Sequence, residues 1–200
     1  MYYNAFKLAK SEKNQVVLFG GNLDKTIPTQ ELANSFGFDF QLFNKSFPEL
    51  SAKNAKELFT SQIKPLHPEG IILHLGDKDS TLFKANSSDF DSAYLSLIAE
   101  IRAVNPKCRI ALVSLYNENT NPTIAEMNRH IKAIADSERC DFINIDNAKL
   151  WNPESRKSAI SFARGMGLSI RKPLRDVAEI LYSWAYKTQM EILMEPGLAG

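Results

Sequence analysis

The chain has 200 residues, 44% of them hydrophobic and 24% charged, and its 24 basic and 23 acidic side chains leave a formal net charge of +1. These values are typical of one soluble globular domain with a sizeable core. A net charge so close to zero excludes an electrostatic argument for binding nucleic acid or an anionic membrane, and we expect neither partner.

Five short apolar runs predict β-strands. They are nearly continuous in Val, Ile, Leu and Phe rather than alternating, as expected for parallel strands that are covered on both faces. The runs are residues 15–20, 38–43, 70–76, 109–115 and 141–146.

The segments between these runs have the apolar spacing of helices. The predicted helices are residues 29–36, 51–63, 88–104 and 123–137, and a last helix begins near Pro173. Because strand and helix alternate, we predict an α/β fold, a three-layer α/β/α sandwich around a five-stranded parallel sheet of the flavodoxin-like kind with right-handed crossovers.

The domain is expected to cover residues 15–186, between an N-terminal extension (1–14) and a C-terminal helical tail (187–200). No run of about 18 apolar residues predicts a membrane span, and lysines interrupt the N-terminal segment, so we expect a cytoplasmic protein. Cys108 and Cys140 match no metal or redox spacing and are interpreted as small core-flanking residues of a reducing compartment.

In an open parallel sheet, ligands bind at the carboxyl ends of the strands. Four loops lie at such positions or before the last helix. They are Gly20-Gly21-Asn22-Leu23, Asn44-Lys45-Ser46, His74-Leu75-Gly76-Asp77-Lys78-Asp79 and the run from Phe162 to Ser169.

The order and spacing of these loops resemble the SGNH (GDSL-type) hydrolases over about residues 15–186, most specifically in the run from Ile71 to Asp79. That family carries Gly-Asp-Ser-Leu, Asn-x-Gly, Gly-x-Asn-Asp and Asp-x-x-His in the four loops. The resemblance implies acyl transfer through serine, histidine and aspartate. It also implies an oxyanion hole made by the serine backbone amide, the amide of the second-loop glycine and the third-loop asparagine side chain.

The matching positions carry other residue types in this chain. Asn22 stands where the serine is expected, and Gly21 replaces the aspartate before it. A carboxamide has no proton to lose and is not a useful nucleophile. Ser46 stands for the second-loop glycine, and Lys78 replaces the oxyanion asparagine.

The family's base and its orienting acid are also missing. Arg164 and Gly167 fall at the Asp and His positions, and no histidine follows His130. His74 is interpreted as a packed strand residue, and His67 and His130 as solvated surface residues. No pair of histidines has metal-ligand spacing, so we expect no metal and no cofactor.

Gly76 and Asp79 match the third-loop pattern. We expect Asp79 to tie this loop by accepting backbone N–H bonds. Lys78 has two interpretations: it forms an anion site with neighbouring helix ends, or it fills the vacated pocket by pairing with Asp77 or Asp24.

The sequence therefore favours a catalytically degenerate SGNH-like domain that acts as a binding or interaction module, with a small polar or anionic ligand such as a sugar. The alternative is an esterase, acylhydrolase or acyltransferase with rearranged residues, using Ser46 or Ser80 with His74 or Asp79. A third hypothesis is an assembly unit, in which the apolar tail binds a protein partner or forms a homo-oligomer. A dinucleotide-binding domain ranks low because the first turn lacks G-x-G-x-x-G.

Overall fold

The computed structural model describes residues 15–117, 121–145 and 174–194, the last helix by its backbone alone beyond residue 185. The predicted N-terminal extension, the predicted site positions Arg164 and Gly167, and the end of the tail lie outside the described residues.

A five-stranded parallel sheet forms the centre of the fold, as predicted. Its strands are β1 (Gln15–Gly20), β2 (Gln41–Asn44), β3 (Gly70–His74), β4 (Arg109–Val113) and β5 (Asp141–Ile143). The strand order is β2-β1-β3-β4-β5, and every neighbouring pair is parallel. This is the flavodoxin-like order, in which the direction of winding reverses between β1 and β3 and opens a crevice at their carboxyl ends.

Helices connect the strands and cover both faces of the sheet. They are α1 (Asn22–Lys25), α2 (Thr29–Ser35), α3 (Ala52–Leu58), α4 (Ser80–Ala85), α5 (Ser87–Val104), α6 (Pro122–Ser137) and α7 (Leu174–Met194). The predicted helix 51–63 ends in a π turn at Phe59–Ile63, followed by a 3-10 turn at Lys64–Leu66. α1 and α4 were not predicted, because one or two turns of helix give no apolar period.

The prediction of β2 was wrong at its start, since residues 38–40 precede the strand. This segment instead terminates α2. Gly37 takes a left-handed φ of 57°, and the Phe38 N–H donates to the Ala33 carbonyl at 2.8 Å. The rings of Phe38 and Phe40 then stack at 5.0 Å. An apolar run beside a helix terminus was therefore misread as strand.

The core has two parts, one on each face of the sheet. On one face α3, α5 and α6 pack through residues such as Ala55, Tyr94 and Ile131. On the other face α2 and α7 pack through residues such as Leu32 and Leu181. In the described part of the chain, no helix is both long and apolar enough to span a bilayer.

Candidate functional site at the carboxyl ends of β1 and β3

The first two sequence-predicted loops meet at the carboxyl end of β1. The Gly20 N–H donates to the Ser46 hydroxyl at 3.2 Å, and the Phe47 N–H donates to the Gly20 carbonyl at 2.9 Å. Ser46 is half-buried. The structure therefore brings the second-loop position against the first turn.

Asn44 organises this junction from the last position of β2. Its Nδ2 donates to the carbonyls of Asp24 at 2.7 Å and Ile27 at 3.1 Å. Its Oδ1 accepts the Ser46 N–H at 3.1 Å. The Ser46 N–H, which corresponds to one of the three oxyanion donors that the sequence resemblance implied, is thus occupied within the protein.

The third loop is fixed by Gly76 and Asp79. Gly76 has φ of 125°, and a Cβ there would lie 2.9 Å from Leu115 Cδ1, so glycine is required. The buried Asp79 accepts the Ala52 N–H at 2.8 Å, which confirms its expected role as a tie. Burial raises the Asp79 pKa above its ordinary value, with the nearby Asp77 charge in the same direction, although the Ala52 bond opposes it.

Within the described residues Lys78 forms an ion pair with neither Asp77 nor Asp24, so the interpretation that it fills the vacated pocket was wrong. Its Nζ lies 3.7 Å from Glu49 Oε1, and the two side chains are 44% and 84% exposed. This contact is a loose surface pair, which contributes little to stability. Asn22, the first residue of α1, is also exposed. Both side chains are accessible to a ligand from solvent.

The centre of the site is a buried polar cluster that the sequence did not predict, formed by Asp24, His74 and Tyr182 and called here the Asp24 cluster. The side chain of Asp24 is 0% exposed. Its Oδ2 accepts the Gly21 N–H at 2.7 Å and lies 2.9 Å from His74 Nδ1. The Tyr182 hydroxyl donates to Asp24 Oδ1. One carboxylate thus joins the first turn, β3 and α7.

His74 is the cationic partner in this cluster. Burial alone would lower its pKa, but the charge and hydrogen bond of Asp24, the charge of Asp77 and the Ser114 backbone together raise the pKa to about 9. The ring is therefore protonated at neutral pH. Its Nε2 is buried on the side of the Ser114 backbone. His74 is packed in its strand, as predicted.

The raised pKa of His74 predicts a pH-dependent stability. A folded-state pKa of about 9 against about 6.5 in the unfolded chain stabilises the fold fully below pH 6.5, and this contribution is lost as the pH rises through 9. The loss is about 3 kcal/mol in the free energy of unfolding. Urea denaturation at pH 6, 8 and 10 measures it.

Titration of the two thiols also lowers the free energy of unfolding at high pH, because burial raises the folded-state pKa of Cys108 to about 12 and of Cys140 to about 11. The diagnostic quantity is therefore the difference between the wild type and His74→Gln. That difference shrinks with rising pH if the account is right, whereas a constant difference from pH 6 to 10 contradicts it.

The other two histidines differ from each other. His67 is exposed, as predicted. His130 is not a solvated surface residue: it is half-buried, its Nδ1 lies 2.9 Å from Asp91 Oδ1, and its ring packs edge-on against Phe83. The side chain joins α4, α5 and α6, which sequence spacing alone does not indicate. Within the described residues, no group of three or more His, Cys, Asp or Glu has the arrangement of a metal site.

An open cavity of about 400 Å³ lies beside the junction of the first two loops. Asn44 and Ser46 line it together with residues of the α1–α2 segment, including Lys25, Thr29 and Gln30. Asn22 and Lys78 do not line this cavity. The structure therefore separates the predicted pocket positions into Ser46 in the cavity and Asn22 and Lys78 on the adjoining surface.

No protein-family model matches the chain, and no curated protein matches it. Solved structures do match. A GDSL-like lipase from Parabacteroides merdae aligns with a TM-score of 0.57 and 11% identity, over 90% of this chain and 97% of the lipase. An esterase from Pseudoalteromonas sp. aligns with a TM-score of 0.58 and 15% identity, over 90% of this chain and 98% of the esterase. An acetylxylan esterase from Geobacillus stearothermophilus aligns with a TM-score of 0.57 and 12% identity, over 88% of this chain and 94% of the esterase.

These likenesses show that the chain has the fold of SGNH hydrolases across most of its length. The fold that the sequence resemblance implied is thus confirmed. At such low identities the likeness extends to the fold alone, and function has to be argued from the site.

Proposed function

We propose that this chain, built on the SGNH-hydrolase fold, is a binding module rather than an acyl-transfer enzyme. The observation that carries the proposal is the first turn. A carboxamide, Asn22, stands where a nucleophile is expected, and the N–H of the preceding Gly21 donates to Asp24. Neither group offers a proton acceptor or a nucleophile to an ester.

Two further observations support the proposal. The Ser46 N–H is satisfied by Asn44 rather than free for an oxyanion. Asp77 lies close to the first turn, since its Oδ2 is 3.4 Å from where a Gly21 Cβ would be. A carboxylate at this place repels the negative charge that develops in acyl transfer, where catalysis needs positive or neutral donors.

The rearranged-enzyme alternative meets an obstacle at His74. The Asp24–His74 pair has the form of an acid that orients a base, and Ser46 is the serine in the cavity wall. A base must be deprotonated and within hydrogen-bond reach of the proton it takes. The raised pKa keeps His74 protonated at neutral pH, and no serine hydroxyl of the described residues lies within hydrogen-bond reach of its buried Nε2.

The proposed ligand is a small polar molecule, and the esterase neighbours that act on acetylxylan suggest a saccharide. Lys78→Ala should weaken binding of acetylated xylo-oligosaccharides by about tenfold or more, because an ionic hydrogen bond is lost. Nitrogen-15 chemical-shift titration measures the dissociation constant. The thermal midpoint should stay unchanged, since the side chain is exposed.

Lys132→Ala is the matched control, because Lys132 is an exposed lysine paired with Asp136 on α6. Retained affinity in Lys78→Ala, with affinity lost in Gln30→Ala, would place the ligand in the cavity instead and exclude Lys78 as its anchor. An absence of saccharide binding by the wild type would contradict the proposed ligand class.

A further inference from the structure

We propose a second site, at the amino-terminal ends of β4 and β5, that binds a small anion of the phosphate class. A cavity of about 340 Å³ opens there, at the edge of the sheet opposite the candidate site. The end of α5 contributes Arg102, the segment entering β4 contributes Lys107 and Arg109, and the turn after α6 contributes Arg139. Four cationic side chains from three segments thus line one concavity.

The positive charges of this cavity are only partly neutralised. Arg102 is held by Glu138, with Nη1 2.6 Å from Oε2. Lys107, Arg109 and Arg139 form no ion pair with any carboxylate in the described part of the chain. Asp141 is the acidic residue in the lining, and Glu69 is nearby on the segment whose backbone bonds Arg109. These three exposed cations line one cavity, where like charges repel each other, and a bound anion relieves that repulsion.

The backbone at Arg139 is an independent observation. This residue has φ of 53° and lies one position beyond the cap of α6, where the Cys140 N–H returns to the Ala135 carbonyl at 2.8 Å. Glycine is the usual residue at this position of a helix end, because other residues are strained there. Here the strained position carries an arginine whose side chain lines the cavity.

The thiols at this end of the sheet carry no negative charge that would repel a bound anion. Cys108 lines the cavity, and burial raises its pKa to about 12, although the Arg109 charge acts in the opposite direction. Burial likewise raises the pKa of Cys140 to about 11. Both thiols are neutral at physiological pH, so neither adds negative charge nor reacts as a thiolate.

A phosphate-class anion suits this chemistry, because guanidinium groups match phosphate oxygens in a bidentate geometry. Isothermal titration calorimetry of the full chain with inorganic pyrophosphate at low salt should show one site with a dissociation constant of about 0.1 mM or tighter. The double variant Arg109→Gln/Arg139→Gln should weaken binding at least about tenfold. Added salt should weaken it as well.

Arg139→Gly distinguishes a loss of binding from a loss of folding, because it should change affinity and stability in opposite directions. Glycine removes the strain at φ of 53°, so the thermal midpoint should rise by about 2–4 °C while pyrophosphate affinity falls. Lys53→Gln, which removes an exposed charge on α3, is the charge-matched control and should bind like the wild type. Adenosine diphosphate is the second ligand: equal affinity means that phosphate alone is recognised, and tighter binding means that the phosphate is held as part of a nucleotide.

Two results would overturn the proposal. One is an absence of saturable binding at about 10 mM pyrophosphate, a hundredfold above the expected dissociation constant. The other is an equal loss of affinity in Lys53→Gln and in Arg139→Gly, each of which removes one positive charge; this would indicate general surface charge rather than this cavity.

Discussion

Asp24→Asn should lower the free energy of unfolding by about 3–5 kcal/mol, because it removes the counter-charge of a buried imidazolium. The wild-type carboxylate lies 2.9 Å from His74 Nδ1 and also accepts from Gly21 and Tyr182. An isosteric amide keeps the volume but leaves the buried cation unpaired. With Asp24 gone, burial dominates, and the His74 pKa should fall from about 9 to below its ordinary value.

Chemical denaturation measures the stability change, and carbon-13 NMR of the His74 ring measures its pKa. Asp136→Asn is the control, because that carboxylate is exposed and pairs with Lys132; it should change stability by less than about 0.5 kcal/mol. The double variant Asp24→Asn/His74→Gln should cost less than the sum of the single variants, since both remove one interaction. A loss below about 1 kcal/mol for Asp24→Asn would contradict the cluster as the tie between β1, β3 and α7.

Gly20→Ala should destabilise the fold by at least about 3 kcal/mol. A Cβ at this position would lie 2.2 Å from Asp24 Oδ2 and 2.3 Å from its Cγ. The carboxylate cannot move aside, because three partners hold it in a site without solvent exposure. The clash therefore breaks the Asp24 cluster or displaces the end of β1.

Gly21→Ala is the matched control on the next residue. Its Cβ would meet only Asp77 Oδ2, at the ordinary contact distance of 3.4 Å. Thermal unfolding should show a midpoint about 6–12 °C lower for Gly20→Ala and within about 2 °C of the wild type for Gly21→Ala. Equal midpoints for the two variants would contradict this prediction, because they would show that the Asp24 side chain can move away from the added Cβ without loss of stability.

The sheet was predictable from the sequence because parallel strands that are buried on both faces produce continuous apolar runs. The long helices α5 and α6 were predictable for the corresponding reason, a sustained apolar stripe. The start of β2 was not predictable, because Phe38 and Phe40 pack at the end of α2 rather than in the sheet. Hydrophobicity alone does not separate a strand from a hydrophobic helix end.

The site was predictable in position but not in its connections. The loops around Gly20, Ser46 and Gly76 were located from their place after predicted strands, and the structure joins the first two directly. The Asp24 cluster was not predictable, since Tyr182 is 158 residues from Asp24 along the chain and lies among apolar residues of α7. An acidic residue two positions after Asn22 gave no local signal that it would be buried.

Asp24 also changes the interpretation of the first turn. An aspartate beside a histidine suggests an acid–base pair, but here the Asp24 carboxylate also accepts hydrogen bonds from the Tyr182 hydroxyl and the Gly21 N–H. A carboxylate with all its partners inside the protein fixes the turn rather than activating a nucleophile. The same contacts that stabilise the loop underlie the binding function proposed above.

The most direct test of the central claim is labelling of the full chain with a fluorophosphonate probe, which reacts with activated serines, beside a heat-denatured control. We expect labelling no greater than in the denatured control, because Asn22 stands at the nucleophile position and His74 is protonated. Stoichiometric labelling of one serine, located by peptide mass spectrometry and lost when that serine is replaced by alanine, would contradict the account and identify a working acyl-transfer site.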